Sequence, residues 1–527
     1  MHWSNVVARH AAYYPDEIAL VRGRMNRTFR ELDERANRVA NGLIAAGPIR
    51  GRRVALLAHN ALEFAEIVFG AWKAGASVAP VNFRSTSQEI EHYLRFASAE
   101  ILLVHEAYLE SVLPALQVLR LRKVICFGDG PAGGARRPLP AGVEDYEALL
   151  AAHPSVLPTV PDLAEADEAF LIFTSGSTGD PKAISSSHRM QTANATCFAY
   201  EFGVKGPDNC TGPADATLML TPLYHLGAMT FMLSHLKVGA KTVILEQPTF
   251  DARLCLEAMS RERITCLYTV NRGWLLILSL PDLAAHDLGA ARNLILGSES
   301  VPLALIERMR KAFPAAHVSN VYGLSESSGC SVLYLRHKDG GKAPSVGKPF
   351  ANVWVRVVDD EGRDVVVGAV GEIVVKGDQV VSEYYNNPRQ TAESFRNGWF
   401  HTGDLATVDD EGFITIAGRK KDMYISGGEN IYPLEIEECL FQHPKILEAA
   451  VLGVADKEWG EVGVAVVAMR SNETMQEADV LAYLNGRVAR YKIPKKVVFV
   501  DAIPRTTSGK VAKAELRIRL QSGVPLA

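Results

Sequence analysis

The sequence predicts an α/β fold in three parts: a large body of helix-covered parallel sheets, a smaller antiparallel β unit, and a small α+β domain at the C-terminus. Three observations carry this reading. The first 110 residues or so alternate strand and helix patterns. From 353 to 375 the texture changes to short β-rich runs around a turn. After Gly418 the chain turns basic at Arg419, Lys420 and Lys421, and roughly the last 100 residues carry short strand and helix patterns of their own. At 527 residues the chain is too long for one compact core. The sequence therefore divides at about residue 420, into 1–419 and 420–527.

The elements follow from local chemistry. Thr28-Phe29-Arg30-Glu31 has capping-box spacing, in which Thr28 and Glu31 satisfy each other's backbone N–H groups at a helix start. Leu32, Ala36, Val39, Ala40, Leu43 and Ile44 then recur at helical spacing until Gly47-Pro48 stops the helix. Residues 54–58 read as a strand, 61–73 as an amphipathic helix, and 77–81 as a second strand. The segment 132–140 (AGGARRPLP) reads as an exposed connection, and 170–173 (FLIF) as a buried strand. Strands at 353–358 and 371–375 flank the turn Asp359-Asp360-Glu361-Gly362. In the last part, 448–454 and 496–500 are strand-like, and helices fit 478–488 and 511–520.

Composition narrows the function. Hydrophobic residues make up 48% and charged residues 22%, and 56 basic against 60 acidic residues leave a net charge of −4. That balance gives no general attraction to nucleic acid or to an anionic membrane, so any anion site is local. The seven cysteines are odd in number, widely spaced and without C-x-x-C, which argues against a disulfide framework or a cysteine zinc site. The first residues lack an apolar signal core, and no apolar run reaches the ~18 residues of a spanning helix. The expectation is a cytoplasmic protein, monomer or homodimer.

The strand at 170–173 empties into IFTSGSTGDPK, an unbroken run of hydroxyls and glycines closed by Lys182. Glycines turn backbone N–H groups toward an anion, and hydroxyls add donors. The P-loop pattern G-x-x-x-x-G-K-[ST] is not met, because Gly176 and Gly179 are three apart and Pro181 precedes Lys182. Further motifs follow in order: Asn320 with Tyr322-Gly323-Leu324-Ser325-Glu326, then Trp399-Phe400-His401-Thr402-Gly403-Asp404, then Gly418-Arg419-Lys420-Lys421-Asp422, then Ile425-Ser426-Gly427-Gly428-Glu429-Asn430-Ile431, and last Pro504-Arg505-Thr506-Thr507-Ser508-Gly509-Lys510.

Their order and spacing, over essentially the whole chain, resemble the acyl-adenylate-forming superfamily of acyl- and aryl-CoA synthetases, peptide-synthetase adenylation domains and luciferases. The resemblance implies that the small β unit is barrel-like and the C-terminal domain mobile. It implies that Thr174, Ser175, Gly176, Ser177, Thr178, Gly179 and Lys182 form a clamp over the phosphates of ATP. Ala183 stands where relatives usually have glycine. Asp404 and Arg419 would hold the ribose, and Asn320, Tyr322 and Gly323 the adenine. Gly297, Ser298 and Glu299, where many relatives carry Gly-Gly-Ala, would complete the adenine side. Ser325 stands where threonine is common. Glu326, with Thr174, would bind Mg²⁺, which prefers carboxylate and phosphate oxygens. Lys510 would bridge the acid carboxylate and the α-phosphate, offsetting charge in the transition state. Lys421 resembles the hinge about which the C-terminal domain rotates. Ser426, Gly427 and Gly428 resemble the strand lining the pantetheine tunnel. His225 would stand near the substrate carboxylate.

The implied activity is an acid:CoA ligase with ATP, Mg²⁺, coenzyme A and a small carboxylic acid as reactants. Gly227 and Gly297 leave space for a medium- or long-chain fatty acid or an aromatic acid. Asn271 and Arg272 stand where relatives often have proline, and they either contact the acid or face solvent. The alternatives are an acyl-AMP ligase that loads a carrier protein and a nucleotide-binding protein without catalysis.

Overall fold

Two large sheets form the body of the computed structural model, which describes residues 2–128, 138–160, 162–174, 182–207, 214–299, 301–335, 342, 345–505 and 511–522. One sheet has seven strands, in spatial order Val143–Asp145, Lys123–Phe127, Ile101–His105, Arg53–Leu57, Ser77–Val81, Glu168–Thr174 and Lys182–Ser187. All neighbours are parallel except the last pair. The other has nine, in the order Lys348–Pro349, Gly329–Tyr334, His317–Leu324, Asn293–Gly297, Cys266–Tyr268, Ala216–Met219, Lys241–Ile244, Ile18–Arg22 and Met25–Thr28. It is parallel at the centre and antiparallel at both margins. Strands such as Ser77–Val81 and Ile101–His105 are buried throughout, as expected when helices cover both faces of a parallel sheet.

Residues of both sheets share one apolar core with the helices Phe29–Ala45, Leu62–Lys73, His188–Glu201 and Leu226–Val238. The predicted capping box starts the first of these: Glu31 N–H donates to Thr28 Oγ1 at 3.2 Å and Thr28 N–H to Glu31 Oε2 at 2.8 Å. Such a cap is worth ~1 kcal/mol. The helix Leu62–Lys73 is not amphipathic. Every residue except Glu63 is buried. The charges that mimic a polar face are paired in the interior instead. Glu66 accepts from Arg27, Arg35 and Tyr146, and Lys73 Nζ donates to Asp33 and Asn37.

The predicted small β unit is a five-stranded antiparallel sheet of Val353–Val358, Gly371–Gly377, Trp399–Val408, Phe395–Arg396 and Ile414–Arg419. Its inner residues, including Val357, Ile373, Phe400 and Ile414, join the large core. From Tyr424 onward the apolar cores are separate. There a second five-stranded sheet carries Glu429–Ile431, Tyr424–Ser426, Gly460–Met469, Ile446–Asp456 and Lys496–Val500, with the helices Pro433–Phe441, Glu477–Leu484 and Lys513–Ser522. The helix expected to run to 488 ends at Leu484, ahead of Gly486 at φ +76°. Cys126, Cys197, Cys255, Cys266 and Cys439 are buried thiols. Among the described residues no helix is long and apolar enough to cross a membrane. Most of the predicted connection at 132–140 lies outside the described residues.

Candidate functional site

In open parallel sheets, ligands bind outside the carboxyl ends of the strands. Here the ends of strands from both large sheets meet the antiparallel unit. Tyr322 and Asn320 come from His317–Leu324, Asp404 from Trp399–Val408, and Arg419 from Ile414–Arg419. Asp404 and Arg419 are register partners on adjacent antiparallel strands. Tyr322 OH donates to Asp404 Oδ2 at 2.6 Å, and Arg419 Nε lies 3.2 Å from Asp404 Oδ1. Burial, reinforced by the Asp404 charge, pushes the Tyr322 phenol well above its ordinary range, so it stays a neutral donor. Asn320 is buried, and its carbonyl accepts Leu335 N–H at 2.9 Å. Gly323 sits at the register irregularity between Tyr322 and Leu324.

A second cluster surrounds Tyr384. Its hydroxyl donates to Glu326 Oε1 at 2.6 Å, and the Lys182 ammonium lies 5.6 Å from its ring centroid. Burial, then the Glu326 charge, raises the Tyr384 phenol. Lys182 Nζ donates to Gln390 Oε1 at 2.7 Å, an uncharged acceptor. Among the described residues neither Lys182 nor Glu326 has a side-chain ion pair. Among the described residues, a cation and a carboxylate, each hydrogen-bonded only to a neutral side chain, thus stand at one phenol. Glu326 lies on the turn Ser325–Ser327, whose Ser328 N–H closes on the Ser325 carbonyl at 2.9 Å. Thr174 and Lys182 are register partners at the mouth of the strand pair, and Thr174 Oγ1 donates to the Lys182 carbonyl at 3.4 Å. Ser175, Gly176, Ser177, Thr178 and Gly179 lie outside the described residues, as does Lys510.

Tyr384 and Gln390 carry no signal in the sequence beyond a Tyr-Tyr pair before Asn386-Asn387-Pro388. Their placement depends on distant residues. Arg53 Nη1 donates to Tyr385 OH at 2.8 Å, while Arg53 pairs with Glu168 at 2.7 Å. Tyr385 N–H also donates to the Ala183 carbonyl at 2.7 Å.

A third group lies on the loop after Asn293–Gly297. Ser298 adopts φ +72°, a region that costs a non-glycine residue ~1–3 kcal/mol. A hydrogen bond between the Tyr268 and Ser298 hydroxyls helps to hold it there. Glu299 Oε1 accepts Asn271 N–H at 3.2 Å, at the start of the helix Asn271–Ile277. Arg272 is exposed. Arg505, just ahead of 506–510, lies 4.0 Å from Glu299 and donates to Glu448 at 2.8 Å.

One expectation about glycines needs correction. Gly297 opens no space: a Cβ there would meet the Val321 carbonyl oxygen at 2.3 Å, so glycine permits close approach of two strands. Gly227 does open space, since a Cβ would meet nothing within 4 Å. Gly427 and Gly428 take φ +60° and +87° in the turn that pairs Ser426 with Glu429. A two-residue turn with both residues left-handed requires glycine-like freedom, whatever passes beside it. Lys421 is partly covered; that cover and the neighbouring Arg419 charge pull its ammonium down, and Asp404 and Lys182 lie within electrostatic reach. His225 precedes the helix Leu226–Val238, half-buried, with its ring 4.2 Å from that of Tyr224.

A model of the AMP-binding enzyme family matches residues 7–385, and one of the AMP-binding enzyme C-terminal domain matches residues 435–510. The chain is an AMP-binding enzyme. This AMP-binding enzyme is 36% identical over 511 residues to feruloyl-CoA synthase of Amycolatopsis sp., covering 97% of each chain. It is 33% identical over 504 residues to the long-chain-fatty-acid–CoA ligase FadD13 of Mycobacterium tuberculosis, covering 94% of each. Its fold matches the solved structure of the anthranilate CoA ligase AuaEII in complex with anthranoyl-AMP, with a TM-score of 0.88 and 26% identity, over 99% of this chain and 98% of that one.

Proposed function

We propose that this enzyme is an AMP-forming acid:CoA ligase whose adenosine is held by Tyr322, Asp404 and Arg419. In the first step a carboxylate oxygen of the acid attacks the α-phosphorus of ATP. The new acyl–O–P bond forms as the bond to the β-phosphate oxygen breaks, and pyrophosphate leaves. In the second step the thiol of coenzyme A attacks the acyl carbon, loses its proton, and AMP leaves with the C–O bonding pair.

The observation that carries the site assignment is that, among the described residues, Lys182 and Glu326 stand at Tyr384 without an ion pair, with Glu326 on the turn that directly follows the strand carrying Tyr322 of the Tyr322–Asp404–Arg419 cluster. Asp404 accepts from the ribose hydroxyls, Arg419 steadies that carboxylate, and Asn320, Tyr322, Gly323, Gly297, Ser298 and Glu299 frame the adenine. Lys182, with the loop 174–179, meets the leaving phosphates. Glu326 meets the Mg²⁺ that ATP brings. Among the described residues no group of three His, Cys, Asp or Glu side chains could hold a metal alone. This fits Mg²⁺, which takes one or two carboxylates and completes its shell with phosphate and water. Thr174 and Ser325 add hydroxyls nearby. His225 stands at the acid carboxylate.

Lys510 supplies charge to the adenylation transition state. The contact of Arg505 with Glu299 supports this, because it brings the start of that segment to the adenine loop. The domains divide at 420, with Lys421 as hinge, and the change of apolar core between Ile416 and Tyr424 supports that division. Ser426, Gly427 and Gly428 border the path of the thiol. The enzyme works in the cytoplasm as a monomer or homodimer. Its acid is aromatic or fatty, classes that are both named among its relatives. Pyrophosphate release that needs both the acid and ATP, with coenzyme A consumed, tests the proposal. Release without consumption of coenzyme A would point to a carrier protein as acceptor.

A further inference from the structure

We infer that Tyr384 and Gln390 are positioning residues for ATP: two neutral side chains that hold Glu326 and Lys182 aimed and apart, so that neither charge is neutralised by the other before the nucleotide arrives. The inference rests on the ligase reading, which supplies MgATP as the ligand.

A lysine and a glutamate that approach one ring would ordinarily attract each other, the more strongly as cover excludes water. Here the chain gives each a neutral partner instead. Lys182 Nζ donates to Gln390 Oε1 at 2.7 Å, and Glu326 Oε1 accepts from Tyr384 OH at 2.6 Å. Tyr384 is 7% exposed, and its burial keeps the phenol protonated and so a donor. Its ring centroid lies 5.6 Å from the Lys182 ammonium. One side chain thus meets the cation through its ring and the carboxylate through its hydroxyl.

Both holders are fixed from behind. Gln390 Nε2 donates to Ser394 Oγ at 2.9 Å, which turns the amide oxygen toward a lysine that can only donate. Asn387 Oδ1 caps the helix Pro388–Ser394 by accepting Gln390 N–H at 3.0 Å. Tyr384 N–H donates to Thr391 Oγ1 of the same helix at 3.0 Å, and the Tyr384 ring packs on Phe395 with centroids 6.0 Å apart. Val381 N–H donates to the Glu326 carbonyl at 2.8 Å, so the segment that carries Tyr384 also holds the backbone of Glu326. One short stretch, 381–394, therefore locates both charges.

Neutral partners suit this task. A carboxylate at position 390 would bind Lys182 as a charge-assisted pair, and the phosphates would have to displace it. An amide orients the ammonium and leaves its charge for the phosphates. A phenol likewise orients Glu326 without cancelling the charge that attracts the metal of MgATP.

The test is calorimetric binding of MgATP, of ATP in EDTA and of AMP to the full chain, without acid or coenzyme A. Gln390→Glu keeps the size of the side chain and adds a charge. It is expected to weaken MgATP binding by about tenfold or more, the scale of one hydrogen bond to a charged group, and to leave AMP, which lacks the β- and γ-phosphates, within about twofold. Gln390→Met, of similar length without charge or carbonyl, weakens MgATP binding by less. Tyr384→Phe keeps the ring and removes the hydroxyl. It is expected to shrink the gain in ATP affinity on adding Mg²⁺ by about tenfold, with AMP again unchanged. Equal weakening of MgATP and AMP, or MgATP binding unchanged in Gln390→Glu and Tyr384→Phe, overturns the inference. Acid-dependent pyrophosphate release by the wild type is measured beside it. Its absence with every acid tried overturns the ligase reading, whereas the binding ratios decide the positioning role.

Discussion

Asp404→Asn isolates the anion at the centre of the adenosine cluster. The substitution keeps the shape of the side chain and an oxygen for the Tyr322 hydroxyl, which now donates at 2.6 Å. It removes the charge that meets Arg419 Nε at 3.2 Å and that would accept the ribose hydroxyls. A hydrogen bond to a charged group is worth ~1.5–3 kcal/mol. At about 1.4 kcal/mol per tenfold, the loss of one such bond to ribose raises the KM for ATP by about 10- to 150-fold. Folding should change little. The Arg419 side chain is 46% exposed, and an ion pair of that exposure is worth at most about 1 kcal/mol. The assay is pyrophosphate release against ATP concentration at saturating acid, beside a thermal melt. A large rise in the KM for ATP with an almost unchanged Tm is expected. An unchanged KM for ATP, or an effect confined to the acid or to coenzyme A, would refute the ribose role.

Lys510→Ala should lower acid-dependent pyrophosphate formation by about 10²–10³-fold, as for loss of one transition-state charge contact. Acyl-CoA formation from supplied acyl-AMP should survive, and an equal fall in both would contradict the role. Stability should fall below neutrality. Burial pushes His188 down to about 2 and His235 down to about 4 from the ordinary 6.5, so the folded state keeps both neutral. Stability is then fully present above pH 6.5. It falls as pH drops, by about 1.4 kcal/mol per unit for each histidine, until the folded pKa is reached. At pH 5 the two together cost about 4 kcal/mol relative to pH 7. A Tm that stays flat from pH 7 to pH 5 would exclude this.

Much of the fold was legible because its signals are local. Capping chemistry marked the helix after Thr28, and unbroken apolar runs marked the strand ending at Thr174. The turn Asp359-Asp360-Glu361-Gly362 marked the antiparallel hairpin. The helix Leu62–Lys73 was misread because Glu66 and Lys73 look like a solvated face until Arg27, Arg35 and Asp33 arrive from elsewhere in the chain. In the site, the motif residues were legible and their supports were not. Tyr384 meets Glu326 across 58 positions, and Arg53 fixes Tyr385 across 332. No spacing in one sequence encodes such contacts. Gly297 shows the converse case. It was read as empty space, but the neighbouring strand occupies that space.

The most direct measurement separates the two steps. Enzyme, Mg²⁺, ATP and an aromatic or fatty acid are mixed without coenzyme A, and the products are followed; coenzyme A is then added. The account predicts enzyme-bound acyl-AMP and pyrophosphate first, with AMP and acyl-CoA appearing only after coenzyme A. AMP or ADP formed without the acid, or acyl-CoA formed with no acyl-AMP before it, would contradict an adenylate-forming ligase.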